Sequence, residues 1–130
     1  MSRKSRGINA ERELVHMFWK QEWACVRVAG SGSIKYPCPD LLAGNNIRKI
    51  VIESKLTKDN KKYFSNDDID QIKQFSVIFG AEAWLAIKFP NQEWKFINPE
   101  DLNETKGNNY CITKSTSELK GLNFSELISL

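Results

Sequence analysis

Apolar residues recur along this chain with two different periods, and the switches between them mark out the elements. Over residues 8–21, Leu14, Val15, Phe18 and Trp19 return at three- and four-residue spacing, which predicts an amphipathic helix. Residues 23–29 then alternate, with Ala24, Val26 and Val28 on the apolar side and Cys25 and Arg27 on the other, and predict a strand. A Gly-, Ser- and Pro-rich stretch, residues 30–39, is too long for a tight turn and reads as a functional loop. Residues 40–43 form a short strand ending at the hairpin-type turn Gly44-Asn45-Asn46. Residues 48–56 return as its partner, with Ile50, Ile52, Ser54 and Leu56 on one face and Val51, Glu53 and Lys55 on the other.

Lys58, Lys61 and Lys62 read as a basic loop, after which Ser65 or Asn66 caps a second helix whose apolar positions are Ile69, Ile72, Phe75, Ile78 and Phe79 and whose stop is Gly80. Asp67, Asp68 and Asp70 complement the positive end of that helix. Residues 81–89 form a strong strand, and Pro90-Asn91-Gln92 turns it into a hairpin with residues 93–97, with Trp94 and Phe96 in the core or an interface. Beyond Pro99 the pattern weakens to a helical turn at 100–104, a short strand at 110–112 and a last helical turn at 124–128. The reading is an α/β domain spanning residues 1–130, with 98–130 as a C-terminal extension without recognisable chemistry.

Length and composition agree with a single globular unit: 130 residues, 41% hydrophobic and 27% charged. No apolar run reaches membrane-spanning length, and the basic start Arg3, Lys4, Arg6 is followed by no signal-like apolar stretch, so a cytoplasmic protein is expected. Cys25, Cys38 and Cys111 lack disulfide or zinc spacing, and a single histidine, His16, disfavours Ser-His or zinc-hydrolase chemistry. Charge is divided unevenly. Residues 1–62 carry 13 Lys/Arg and 6 Asp/Glu, a net +7, whereas residues 63–130 carry 6 and 10, a net −4. A basic half that includes a mobile arm at residues 3–6 suits a polyanion as well as it suits solvent.

That half also holds the candidate chemistry. Hairpin pairing brings Asp40 alongside Glu53, and period two places Lys55 on the face of Glu53. Two carboxylates with a lysine can hold Mg²⁺, with a water and a phosphodiester, and stabilise charge on the phosphate. An exposed hairpin carrying a surface ion pair gives the same short pattern. Glu11 falls in the middle of the first helix's apolar face, where an unpaired carboxylate costs on the order of several kcal/mol; it completes the metal shell or else favours the helix dipole near water. Glu13 points to the solvent side, Arg12 to the flank, and Arg27 away from its strand's apolar side, into solvent or over the site.

Pro39-Asp40 followed by Glu53-Ser54-Lys55 resembles the PD-(D/E)xK nuclease superfamily. Ala10-Glu11-Arg12-Glu13-Leu14, Val26-Arg27-Val28-Ala29-Gly30-Ser31, Pro39-Asp40-Leu41-Leu42-Ala43-Gly44, Ile52-Glu53-Ser54-Lys55 and Leu85-Ala86-Ile87-Lys88-Phe89 are similar, in collinear order over residues 3–97, to the archaeal Holliday junction resolvase family. The resemblance implies a restriction-endonuclease-like fold, a central mixed β-sheet flanked by helices. It also implies a homodimer that resolves four-way DNA junctions by paired symmetric nicks with Mg²⁺, or Mn²⁺ as a substitute. Carried over by motif, Glu11, Asp40, Glu53 and Lys55 are catalytic, with Ser31 or Ser33 in the loop near the scissile strand and Ser33 placed among the catalytic residues. Glu11, Asp40 and Glu53 are the metal ligands. Arg3, Lys4, Arg6, Arg12, Arg27, Ser31, Lys35 and Lys88 contact DNA, and Phe75 and Phe79 match the dimer-forming region. Ser54 replaces a commoner small apolar residue but faces away from the site, so no consequence is expected. The alternatives are a related endonuclease acting on linear DNA and a non-catalytic DNA-binding module.

Overall fold

The computed structural model describes residues 2–130. Its centre is a five-stranded mixed sheet in the order β1-β2-β3-β5-β6, made of β1 (Ala24–Arg27), β2 (Leu41–Gly44), β3 (Lys49–Leu56), β5 (Glu82–Lys88) and β6 (Lys95–Ile97). The β3 and β5 strands run parallel and the other neighbours antiparallel, so the expected mixed sheet is present. Being buried on both faces, the middle of β3 is a continuous apolar run, Ile50-Val51-Ile52.

Helix α1 (Arg3–Lys20) covers one face. Its Leu14 and Phe18 pack with Trp23, Ile50, Ile52, Trp94 and Phe96. On the opposite face Val51, Leu85 and Ile87 pack with Ile69 and Ile72 of α2 (Asn66–Phe79) and with Phe64 and Ile112. Ser65 caps α2 by accepting a hydrogen bond from the Asp68 N–H at 3.1 Å, and Gly80 closes it at φ 80°, as its sequence predicts.

Several expectations change. Residues 3–6 are not a mobile arm: Ser2 caps α1, accepting from the Ser5 N–H, so the helix begins there although its first turn carries Arg3, Lys4 and Arg6 against the helix dipole. Residues 61–65 are not loop but strand β4 (Lys61–Ser65), which pairs with β8 (Asn109–Thr113); β7 (Asn103–Thr105) completes this second, three-stranded sheet. The helical turn expected at 100–104 is confined to Pro99–Asp101, since Asn103 already pairs with Cys111. Helix α3 (Lys114–Lys120), invisible in a polar sequence, is fixed by Thr113 as cap and by fully buried Ser117. Helix α4 (Phe124–Ile128) lies where expected, with Leu127 in the first core. The tail is thus woven into both cores. Among the described residues no helix is long and apolar enough to cross a membrane.

The two faces of β1 are the reverse of those expected. Cys25 is buried while Ala24 and Val26 are exposed, because β1 is an edge strand whose inner face is decided by α1. Likewise Ile78 and Phe79 do not enter the core: Ser76 occupies the buried position, and Val77, Ile78 and Phe79 are 81%, 78% and 55% exposed.

Candidate active site

The β2–β3 register pairs Leu41 with Ile52, so Asp40 falls beside Glu53 at the open end of the hairpin, and the Asp40 N–H donates to the Ile52 carbonyl at 3.0 Å. Glu53 and Lys55 project from the α2 face of β3, the face of buried Val51. The Asp40 carboxylate accepts from the Ser31 hydroxyl at 2.7 Å on Oδ1 and from the Ser54 N–H at 2.9 Å on Oδ2. Gly30 makes the first of these possible: at φ 70° it turns the chain out of β1 into the short helix Ser31–Ser33, which aims Ser31 at Asp40. Ser33 stands at the exposed far end of the same turn, with Lys35 beyond it, also exposed.

Burial would raise Asp40, but hydrogen bonds from Glu53, the Ser54 N–H and the Ser31 hydroxyl, with the charge of Lys55, hold it below the usual carboxylate range. Glu53 moves the other way. Burial, the hydrogen bond to Asp40 and the Asp40 charge push it up to about 9, against the pull of Lys55. Two carboxyl groups in contact therefore share one proton at neutral pH. Such a pair fits a divalent cation, because a cation can replace the shared proton and satisfy both carboxylates.

Glu11 reaches the same region from α1, and its carboxylate is paired with the Arg27 Nε at 2.8 Å, both side chains being largely buried. Burial and the nearby Asp40 charge raise Glu11, and Arg27 and Lys55 oppose this. The cost of an inward-facing carboxylate is thus met by a guanidinium, which the reversed facing of β1 brings to the same side of the sheet as α1. Among the described residues, no group of three or more His, Cys, Asp or Glu side chains is gathered as a ready metal cage. The close pair is Asp40 with Glu53, and Glu11 stands behind it.

Other predicted positions are distributed around this centre. Arg3, Lys4, Arg6 and Arg12 are exposed along α1. Lys88 donates to Glu13 at 3.2 Å and lies over the Trp94 ring. Glu13, expected in solvent, also accepts from the Trp94 indole N–H at 2.9 Å, a correction that ties α1 to β5 and β6. Ser54 does not face away: its hydroxyl lies 3.4 Å from Asp40 and its N–H is bonded to that carboxylate. Its main-chain role leaves no mark in sequence, because any residue at that register supplies the N–H. Phe75 is half-buried against the second core, and its ring meets that of exposed Phe79 at a tilt, 5.3 Å between centroids. Phe79 also lines an apolar groove with Trp19, Val26 and Leu42 along β1 and β2.

A family model described as archaeal Holliday junction resolvase (Hjc) matches residues 2–130. The chain is 40% identical over 124 residues to the crossover junction endodeoxyribonuclease Hjc of Archaeoglobus fulgidus, covering 95% of this chain and 90% of that one. It is 37% identical to the Hjc of Methanocaldococcus jannaschii, covering 95% and 86%. The solved structure of Archaeoglobus fulgidus Hjc, a Holliday junction resolvase, superposes with a TM-score of 0.87 at 39% identity, over 93% of this chain and 97% of that one.

Proposed function

From the premise that the chain belongs to the archaeal Holliday junction resolvase family, we propose how its residues divide the work. The activity is that of a crossover junction endodeoxyribonuclease, a metal-dependent nuclease of DNA recombination and repair. Its DNA substrate is the four-way junction. The finer assignments are our reading. Asp40 and Glu53 would hold Mg²⁺, or Mn²⁺ in its place, and Glu11 would add a carboxylate from α1. A divalent cation bound there supplies Lewis-acid polarisation of the scissile phosphate and a more acidic bound water. Lys55, on the strand face of Glu53, stabilises charge developing on the phosphate and orients the attacking water. Ser31 holds the Asp40 carboxylate in place, and Ser33 lies at the outer end of the turn, open to the scissile strand. Arg3, Arg12 and Arg27 bind the backbone near the cut, and Lys4, Arg6, Lys35 and Lys88 bind it further out, reading phosphate positions rather than bases.

The observation that carries this reading is the contact between the Asp40 and Glu53 carboxyls beside Lys55. Paired nicks in a junction need two such sites at a fixed separation, and we assign the second to a symmetry-related copy docked through Phe75 and Phe79. The apolar exposed side of α2 supports that face.

The test is cleavage of a synthetic four-way junction and of a linear duplex of the same sequence, with and without Mg²⁺. Symmetric nicks on the junction alone are expected. Equal cutting of both would favour an enzyme of linear DNA, and tight binding without cutting in Mg²⁺ or Mn²⁺ would favour a binding module. Asp40→Asn should lower the nicking rate by roughly a thousandfold or more while junction binding in EDTA stays largely intact. Collapse of binding as well would make Asp40 structural.

A further inference from the structure

Lys62 lies outside every motif read from the sequence, yet the second sheet delivers it to the candidate site. On β4 it shares the inner face with buried Phe64, its cross-strand partner is fully buried Ile112, and the flanking Lys61 and Tyr63 are exposed. Its stem therefore lies over the rim of the second core, and the residue is half-buried. Burial depresses the basicity of its ammonium, and the charges of Lys55 and Arg3 depress it further, with Asp68 and Asp59 offsetting only in part. None of Arg3, Lys55 and Lys62 has an ion-pair partner among the described residues. Arg3 stands besides in the first turn of α1, where the helix's positive end adds to the repulsion. Lys55 also faces the Asp40, Glu53 and Glu11 carboxyls. Arg3 and Lys62, however, brought beside it from two other elements without an ion pair among the described residues, leave a surplus of positive charge that an incoming anion complements.

We propose that Lys62, with Arg3 and Lys55, forms a recess that holds a backbone phosphate of the bound DNA next to the phosphate being cut. The proposal rests on the reading of the site as a DNA-cleaving one and adds to it a contact from the second sheet. A phosphodiester fits because it is a compact oxyanion repeated along the strand, so a phosphate neighbouring the scissile one arrives with the substrate. Lys62 thereby links the second sheet, two of whose strands come from the tail, to substrate binding.

The test measures binding in EDTA to a four-way junction and to a linear duplex over about 50 to 200 mM KCl. Lys62→Gln should flatten the slope of log affinity against log salt by about 0.9, one phosphate contact, and weaken binding at the lowest salt by roughly three- to tenfold. Lys62→Arg should restore the slope. Lys62→Met, which keeps the stem over Phe64 and removes only the charge, should match Lys62→Gln and covers the case in which the glutamine variant fails to fold. An unchanged slope in the folded neutral variants, with or without a uniform loss of affinity, would overturn the contact. Preference of the wild type for the junction, and nicking of it, are scored separately. The functional reading can thus fail while the Lys62 slope change persists on duplex, and the reverse is equally visible.

Discussion

Asp40 and Glu53 are the same kind of group a contact apart, yet their environments drive them in opposite directions. Asp40 collects donors from Ser31 and Ser54, whereas Glu53 is buried against the charge so created and is pushed up to about 9. Ser31 is the donor whose loss changes least else, since among the described residues its hydroxyl bonds only to Asp40. Ser31→Ala should therefore raise the Mg²⁺ concentration needed for half-maximal nicking by about 10- to 100-fold, with the melting temperature nearly unchanged; a metal titration of the single-turnover rate checks it. Cys25 offers a contrast away from the chemistry. Burial pushes its thiol up to about 12, so it should resist alkylation by iodoacetamide near pH 8 in the native state and react promptly in urea. Rapid native modification at Cys25, read by mass spectrometry, would mean that β1 opens readily from α1.

At the scale of elements, the hairpin that presents Asp40 to Glu53 was legible because turn residues and period-two alternation fix its register. The first and second helices were legible for the same kind of reason, a sustained three- and four-residue repeat. The facing of β1 was not. Val26 is 55% exposed although it alternates like a core position, because an edge strand's inner side depends on which helix covers it. Similarly Val77, Ile78 and Phe79 continue the apolar pattern of α2 past the core. These exposed apolar side chains are what the proposed dimer would cover. On that proposal Phe79→Glu should leave a monomer in light scattering with the fold intact, and should abolish paired nicking. A variant that melted far below the wild type would instead place Phe79 among the residues that hold the monomer together.

Across the whole molecule, Arg48 ties distant parts of the chain. It donates to both Glu82 carboxylate oxygens, at 2.7 and 2.8 Å, to the Leu127 carbonyl at 2.7 Å, and lies over the Trp23 ring. The start of β3, the start of β5 and the C-terminal helix are thus clamped at one point. The Arg48 guanidinium holds Glu82 below its ordinary carboxylate value of 4.5. A depressed folded value stabilises the protein above the unfolded value, and the gain is lost as pH falls through the folded one. Glu82→Gln should therefore cost about 1 kcal/mol at pH 7, a modest figure because the carboxylate is partly exposed. The deficit should shrink as the pH falls below 4.5. Urea midpoints measured across this range check it, and a deficit that stayed constant into acid would assign the effect to packing.

The sequence by itself determined the elements whose periodicity is local, the pairing of Asp40 with Glu53, and the identity of the acidic and basic residues that suit phosphodiester chemistry. Each depends on neighbours a few residues apart or on one short turn. Only the tertiary structure decided that Arg27 meets Glu11, that Ser54 serves Asp40, and that Lys62 reaches the site from a second sheet completed by the tail. These contacts join positions far apart in the chain, or main-chain groups that any side chain could carry. Burial and packing set them, and no local pattern records either.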